Sequence, residues 1–143
     1  MLNIQLLNWT ELMKIKRIIF ESHGDKRGSL ISLESFKNIP FEIKRVYYIF
    51  NTLDNVTRGL HAHKQLKQIM ICVSGSCKLL LDDGKNKIHI ELNNKNEGIL
   101  IEDLIWREMY DFSEDCVLIV LANDYYDESD YIRDYNSFLA LKK

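Results

Sequence analysis

Gly59-Leu60-His61-Ala62-His63-Lys64 is the stretch on which the reading of this chain turns. Strand-like runs lie on both sides, Arg45-Val46-Tyr47-Tyr48-Ile49-Phe50 before it and Ile69-Met70-Ile71-Cys72-Val73 after it. Side chains alternate along a strand, so His61 and His63 share a face, roughly 7 Å apart along the backbone. Two imidazoles on one wall, bracketed by Arg58 and Lys64, suit an acid/base pair or part of a metal site.

Outward from the histidines the pattern is one of short strands. Downstream, Ser74-Gly75-Ser76 turns, residues 77–81 form a strand, and Asp82-Asp83-Gly84-Lys85 is a hairpin signal through Asp-Gly. Residues 87–92 return with alternation, 93–98 turn, and 99–102, 104–110 and 116–122 read as further strands. Upstream, residues 13–20 and 29–34 are strands separated by a turn over 21–28, and Pro40 marks a loop. Residues 1–12 fit either a short strand or a helical turn, and 129–141 a helix or turn. Strands about ten residues apart, with Gly, Asn and Asp between them, predict an all-β sandwich or barrel in one domain over 1–143.

Composition narrows the function. The 143 residues carry a net charge of −2 with basic residues dispersed, which gives no support for a nucleic-acid partner. No apolar run approaches the ~18 residues of a membrane span, and the first 20 residues lack the pattern of a cleaved leader. Cys72, Cys77 and Cys116 are odd in number, lie in apolar runs and lack C-x-x-C spacing, so they read as buried free thiols of a cytoplasmic protein.

Arg27, Arg45, Arg58, Lys64 and Arg107 are candidates to hold a phosphorylated substrate, the alternative being solvated surface charges. Tyr47 and Tyr48 face opposite ways, and an inward Tyr47 would share a polar interior with Arg45. Trp106 suits either a base-stacking platform or a core aromatic. His23 and His89 read as surface residues. The acidic run 124–130 lacks the spacing and glycine of a calcium loop and reads as a solvated or dimer-facing segment.

The spacing H-x-H-x4-acid-x6-G resembles the first motif of the cupins, antiparallel β-barrels or jelly rolls that usually hold a metal. Here the acid is Gln68, and counting the second motif from Gly98 puts Met109 where its histidine would fall, with Leu104 and Trp106 in place of its Pro and Gly. Two of four ligands are therefore missing, which favours proton transfer over metal chemistry at His61 and His63.

The Arg58-to-Lys64 block, Arg45-Val46-Tyr47-Tyr48-Ile49-Phe50, Val73-Ser74-Gly75-Ser76-Cys77, Leu81-Asp82-Asp83-Gly84 and Asp130-Tyr131-Ile132-Arg133-Asp134-Tyr135 are together similar to the dTDP-4-oxo-6-deoxyglucose 3,4-ketoisomerases. The resemblance implies a metal-free cupin that moves a carbonyl from C4 to C3 of a dTDP-linked 4-oxo-6-deoxyhexose without a cofactor. It further implies a homodimer with exchanged N-terminal strands and products destined for lipopolysaccharide O-antigens or S-layer glycans. In its terms His61 and His63 are the acid/base pair, Arg45, Arg58 and Lys64 meet the pyrophosphate, and Trp106 or a neighbour meets the thymine. Arg27 and Arg107 bear on the C4 configuration, which is left open between galacto and gluco. The rival readings are a metal-dependent cupin, a 3,5-epimerase-type cupin and a non-catalytic sugar-nucleotide-binding module.

Overall fold

An apolar side chain at almost every position of residues 69–73 demands cover on both faces of that strand, and the fold supplies it. The computed structural model of the chain describes residues 4–6, 15–53 and 55–143. Among the described residues thirteen strands run β1 (Ile4–Leu6), β2 (Ile15–Ile19), β3 (His23–Asp25), β4 (Gly28–Leu30), β5 (Arg45–Phe50), β6 (Arg58–His63), β7 (Gln68–Ser74), β8 (Cys77–Asp82), β9 (Lys87–Leu92), β10 (Glu97–Ile101), β11 (Trp106–Tyr110), β12 (Val117–Ala122) and β13 (Tyr131–Ile132). A 3-10 turn spans Glu128–Asp130, and among the described residues one helix, α1, spans Tyr135–Leu141.

Two antiparallel sheets, β1-β2-β10-β7-β12-β5 and β13-β6-β11-β8-β9, face each other as a cupin-like barrel. The two-residue period sorts β7 cleanly. Met70 and Cys72 point into the space between the sheets with Leu79, Leu81, Ile99, Ile101, Leu118 and Val120. Ile69 and Ile71 point the other way, against Phe20, Ile39, Phe41 and Leu121. Both faces of the strand are thereby removed from water.

The outer face of the second sheet is covered by the C-terminal segment. Asp134 caps α1 by accepting from the Ser137 backbone N–H at 2.8 Å, a contact whose loss costs about 1 kcal/mol. Phe138 of α1 is fully buried with Ala62, Trp106 and Ile132; truncating such a ring to alanine costs about 3–5 kcal/mol.

Boundaries depart from the sequence reading in a few places. The turn expected over 21–28 is an exposed hairpin of β3 and β4, and the strand expected over 29–34 ends at Leu30. The strand expected over 13–20 is β2, pairing Glu97↔Ile19 through Ile101↔Ile15 with β10 of the same chain; residues 13 and 14 lie outside the described residues. Within the ambiguous first twelve residues, the described part, Ile4–Leu6, pairs with β2 as a strand. β11 begins at Trp106 because Leu104 turns the chain with φ 53°. The helix-or-turn segment divides into 3-10 turn, strand and helix, so β13 escaped the sequence reading.

Candidate active site

Simple alternation places His61 and His63 on one face and would send Arg58, three residues before His61, to the other. The structure breaks that rule with a β-bulge. Arg58 pairs with Met109, Gly59 with Glu108 and His61 with Arg107, so Leu60 is an extra residue in β6. Gly59 has φ 87°, and a Cβ there would stand 2.9 Å from the Arg107 carbonyl oxygen. Only glycine fits this close approach. Arg58, His61 and His63 thus come to the inner wall together, whereas Lys64, with no bulge to turn it, is left exposed on the outside.

The two histidines differ in their surroundings. Their ring centroids are 4.8 Å apart with planes at 86°, edge to face. His63 is fully buried, and its Nδ1 stands 3.1 Å from Asp130 Oδ2. The backbone N–H groups of Gln65 and Leu66 donate to the same carboxylate at 2.9 and 3.3 Å, which fixes it in place. With Nδ1–H donating to Asp130, the neutral ring keeps its lone pair on Nε2, which meets no partner among the described residues. His61 is 8% exposed, its ring lies near the Gly59 backbone, and among the described residues neither ring nitrogen has a well-formed hydrogen bond. Tyr131, paired with His63 across β13 and β6, packs against both rings at 4.9 and 4.3 Å between centroids.

Behind the histidines lies a buried cation. Arg107 has no exposed surface, and its Nη1 and Nη2 donate to Gln68 Oε1 at 2.6 Å and to the Ile105 carbonyl at 2.9 Å, both neutral acceptors. Gln68 Nε2 in turn donates to the Tyr47 hydroxyl at 3.0 Å. Burial lowers the Arg107 pKa to about 10, which still leaves it charged at neutral pH. Burial, and next the Arg107 charge, push His61 down to about 4 and His63 down to about 2. At neutral pH both imidazoles are uncharged bases.

Arg45, Tyr47, Arg58, His61, Tyr131 and Arg133 are among the residues lining a cavity of about 460 Å³. A smaller hollow of about 170 Å³ reaches His63 and Asp130 from the other side, with Arg45 and Tyr131 shared between the two. Arg45 lies over the rings of Tyr47 and Tyr126 at 5.3 and 5.7 Å, and Arg133 over Tyr131 at 4.4 Å. Glu128 accepts from Arg133 at 2.7 Å, which keeps that guanidinium at the rim.

Of the residues singled out in the sequence, His61, His63, Arg45, Tyr47, Arg58 and Arg107 converge here, and three do not. Trp106 is not a platform at this cavity. It neighbours Arg107 on β11, so alternation turns it to the opposite face, beneath α1 and edge-on to Tyr135, with Nε1 donating to Glu108 at 3.0 Å. Lys64 lines a shallow surface beside α1 rather than the histidine cavity. Arg27 sits on the exposed β3–β4 hairpin, its guanidinium held by Asp25 at 2.6 Å. Asp130, Tyr131, Tyr126 and Arg133 were missed as site residues. The alternation within Asp130-Tyr131-Ile132-Arg133 was the available signal, since apolar Ile132 faces the helix while its neighbours face the histidines.

The arrangement does not fit the metal that cupins usually hold. Gln68 stands at the position of the acidic ligand, and its side-chain oxygen is already taken by Arg107. The two imidazoles are left beside a fixed positive charge that repels a cation. Among the described residues, three His, Cys, Asp or Glu groups close enough to share an ion occur at Cys72, Cys77 and Cys116, not at the histidines.

Fold and site together define a cupin-like barrel whose interior holds two neutral histidines beside a buried guanidinium. The chain belongs to the FdtA family: the family model described as "FdtA: WxcM-like, C-terminal" matches residues 10–143. It is 52% identical over 126 residues, 88% of this chain and 91% of the relative, to TDP-4-oxo-6-deoxy-alpha-D-glucose-3,4-oxoisomerase from Aneurinibacillus thermoaerophilus. A crystal structure of a 3,4-ketoisomerase from Helicobacter canadensis superposes with TM-score 0.88 at 50% identity, covering 91% of this chain and 98% of that one. The 3,4-ketoisomerase QdtA from Thermoanaerobacterium thermosaccharolyticum superposes with TM-score 0.89 at 45% identity, covering 91% and 94%; that structure is a His-to-Asn mutant in complex with TDP-4-keto-6-deoxyglucose.

Proposed function

We propose that this chain is a nucleotide-sugar 3,4-ketoisomerase that converts dTDP-4-oxo-6-deoxyglucose to the 3-oxo isomer. The observation that supports it best is His61, a neutral imidazole on the wall of a sugar-sized cavity, with neither nitrogen in a well-formed hydrogen bond among the described residues. The C3–H bond breaks, its proton goes to His61, and its electron pair forms a C3=C4 double bond as the C4 oxygen takes up negative charge. A proton then passes from O3 to O4. C4 takes a proton in its turn, and the C3 oxygen closes to the ketone. No electron leaves the sugar, so no redox partner enters the balance.

The polar chain behind the wall serves the charged intermediate. Arg107 donates to Gln68 and Gln68 to Tyr47, so the Tyr47 hydroxyl keeps its own proton to donate into the cavity. A donor polarised by a buried cation is suited to an enediolate oxygen. His63, aligned by Asp130, completes the acid/base pair from behind His61. Arg45, Arg58 and Arg133 at the cavity wall take the pyrophosphate.

The working unit is a homodimer of single-domain chains. The outer face of β5 leaves Val46, Tyr48 and Phe50 exposed in a row, which suits a second copy. Sedimentation should then give twice the 16.9 kDa chain mass. Among the described residues no helix is long and apolar enough to cross a membrane. Three free buried thiols accord with the cytoplasm, where thiols stay reduced.

Incubation with dTDP-4-oxo-6-deoxyglucose in heavy water tests the reaction. The expected result is a 3-oxo product, trapped by a 3-aminotransferase, with deuterium at C4, and deuterium at C3 of any substrate recovered by back-exchange. No product and no exchange would overturn the proposal, and exchange at C3 and C5 instead would identify an epimerase.

A further inference from the structure

The end of the barrel away from the histidines holds a side-chain cluster that isomerisation does not use. Cys72 near the end of β7, Cys77 at the start of β8 and Cys116 just ahead of β12 are all buried, with their sulfurs within 4.8 Å of one another. Cys72 Sγ stands 3.7 Å from Cys116 Sγ and donates to the Ser74 carbonyl at 3.1 Å. The turn that brings these strands together is tightly covered. Gly75 has φ 66°, and a Cβ there would press within 2.2 Å of Ser113 Oγ and 2.8 Å of the Cys116 nitrogen.

We propose that Cys72, Cys77 and Cys116 form a three-thiolate binding site for a trivalent thiophilic ion of the arsenite class. Size and charge both point there. Metal–thiolate bonds of about 2.3 Å put three sulfurs around one ion roughly 3.5–4 Å apart, so the cluster closes with small side-chain rotations. The sulfurs belong to an apolar core with Leu79, Leu92, Phe112 and Leu118, and the charged side chain acting on the cluster, Asp115, is an anion. Three thiolates around univalent copper would leave two negative charges uncompensated there, and around zinc one. A trivalent centre leaves none.

The exchange balances without an oxidant. Arsenous acid loses three As–O bonds and gains three As–S bonds, the three thiol protons leaving with the three hydroxides as water. The Cys72 and Cys116 sulfurs, already 3.7 Å apart, take the ion first. Cys116 follows the exposed Asp115 in the chain, so entry requires only the 113–116 loop to lift.

Arsenite added to the reduced, folded protein tests the site, read by elemental arsenic after desalting, near-ultraviolet As–S absorption and a pH-stat. The expected result is one arsenic per chain, three thiols lost to a thiol reagent, and no net proton release. Cys72→Ser and, separately, Cys77→Ala should each weaken retention at least tenfold. Failure to retain arsenic, retention through fewer than three thiols, retention unchanged in both variants, or displacement by zinc or copper(I) with proton release would overturn it. The wild-type stoichiometry decides the matter even where a variant fails to fold.

Discussion

Strand β7 runs from one kind of buried polar chemistry to another. At its start Gln68 sits between Arg107 and Tyr47, where one permanent positive charge sets the potential and the Nε2 atoms of His61 and His63 are left without a partner among the described residues. At its far end Cys72 sits among hydrocarbon, and its side-chain neighbours of like chemistry are two more thiols. Burial keeps the ionisable groups largely neutral at both ends, with opposite results. Neutral imidazole can accept a proton, and desolvation beside Arg107 keeps His61 in that form. At the cysteine end burial holds the Cys116 thiol neutral, and a neutral thiol is inert until an incoming ion takes the place of its proton. What separates a proton-transfer site from a coordination site here is the buried cation more than the depth of burial.

The contrast would be broken most directly at His61. His61→Asn should lower kcat by about 10²–10⁴-fold while nucleotide-sugar binding and the circular dichroism spectrum persist. Cys72→Ala should leave kcat within about twofold by the same assay, and equal losses in the two variants would erase the distinction between the ends. Arg107→Met comes next, with an expected loss of roughly 10²–10³ in kcat. It should also raise the limb of the kcat/KM profile that reports His61 from about 4 toward the unperturbed 6.5, because the repelling charge is gone.

Asp130→Asn sharpens the roles of the two histidines. An amide that turns its NH₂ toward His63 reverses the hydrogen bond and moves the ring proton to Nε2, so kcat should fall roughly tenfold to a hundredfold without a change in fold. Loss of affinity alone, with kcat intact, would remove His63 from the reaction. A smaller effect concerns stability. His61 is held near 4 in the fold against 6.5 when unfolded, so between those values the unfolded chain binds more protons. Stability is therefore complete above about 6.5 and declines as pH falls toward 4, which urea titrations across that range would show. At the bottom of the scale, Trp106→Phe should cost about 1 kcal/mol of stability and leave kcat unchanged.

Much of this was legible in the sequence. Alternation put His61 and His63 on one wall, and the Asp-Gly pair marked the β8–β9 hairpin. The fully apolar stretch of β7 correctly required cover on both faces. What escaped has specific causes. A bulge cannot be counted from residue types, so the route by which Arg58 reaches the inner wall was hidden. β13 is two residues long, too short to show a period, and it brings Asp130, Tyr131 and Arg133 to the site from 67 to 75 residues away along the chain from His63 and Arg58. Trp106 was misplaced as a candidate because its strand begins one residue earlier than the inward-facing Arg107.

Leu60 and Leu104 have a consequence for how the protein meets heat. Both hold left-handed backbone, φ 55° and 53°, which costs a branched side chain roughly 1–2 kcal/mol each. Leu60 precedes His61, and the Leu104 N–H donates to the His63 carbonyl at 2.9 Å, so β6 is gripped at both ends by backbone that would relax if released. The neighbouring ladder, not local preference, holds it there. On warming, the geometry around the histidines should loosen a few degrees before the barrel melts, with activity fading while the near-ultraviolet signal of the core persists. Leu60 is 44% exposed and packs little, so Leu60→Asn, which tolerates that φ, should raise both temperatures and narrow the interval between them.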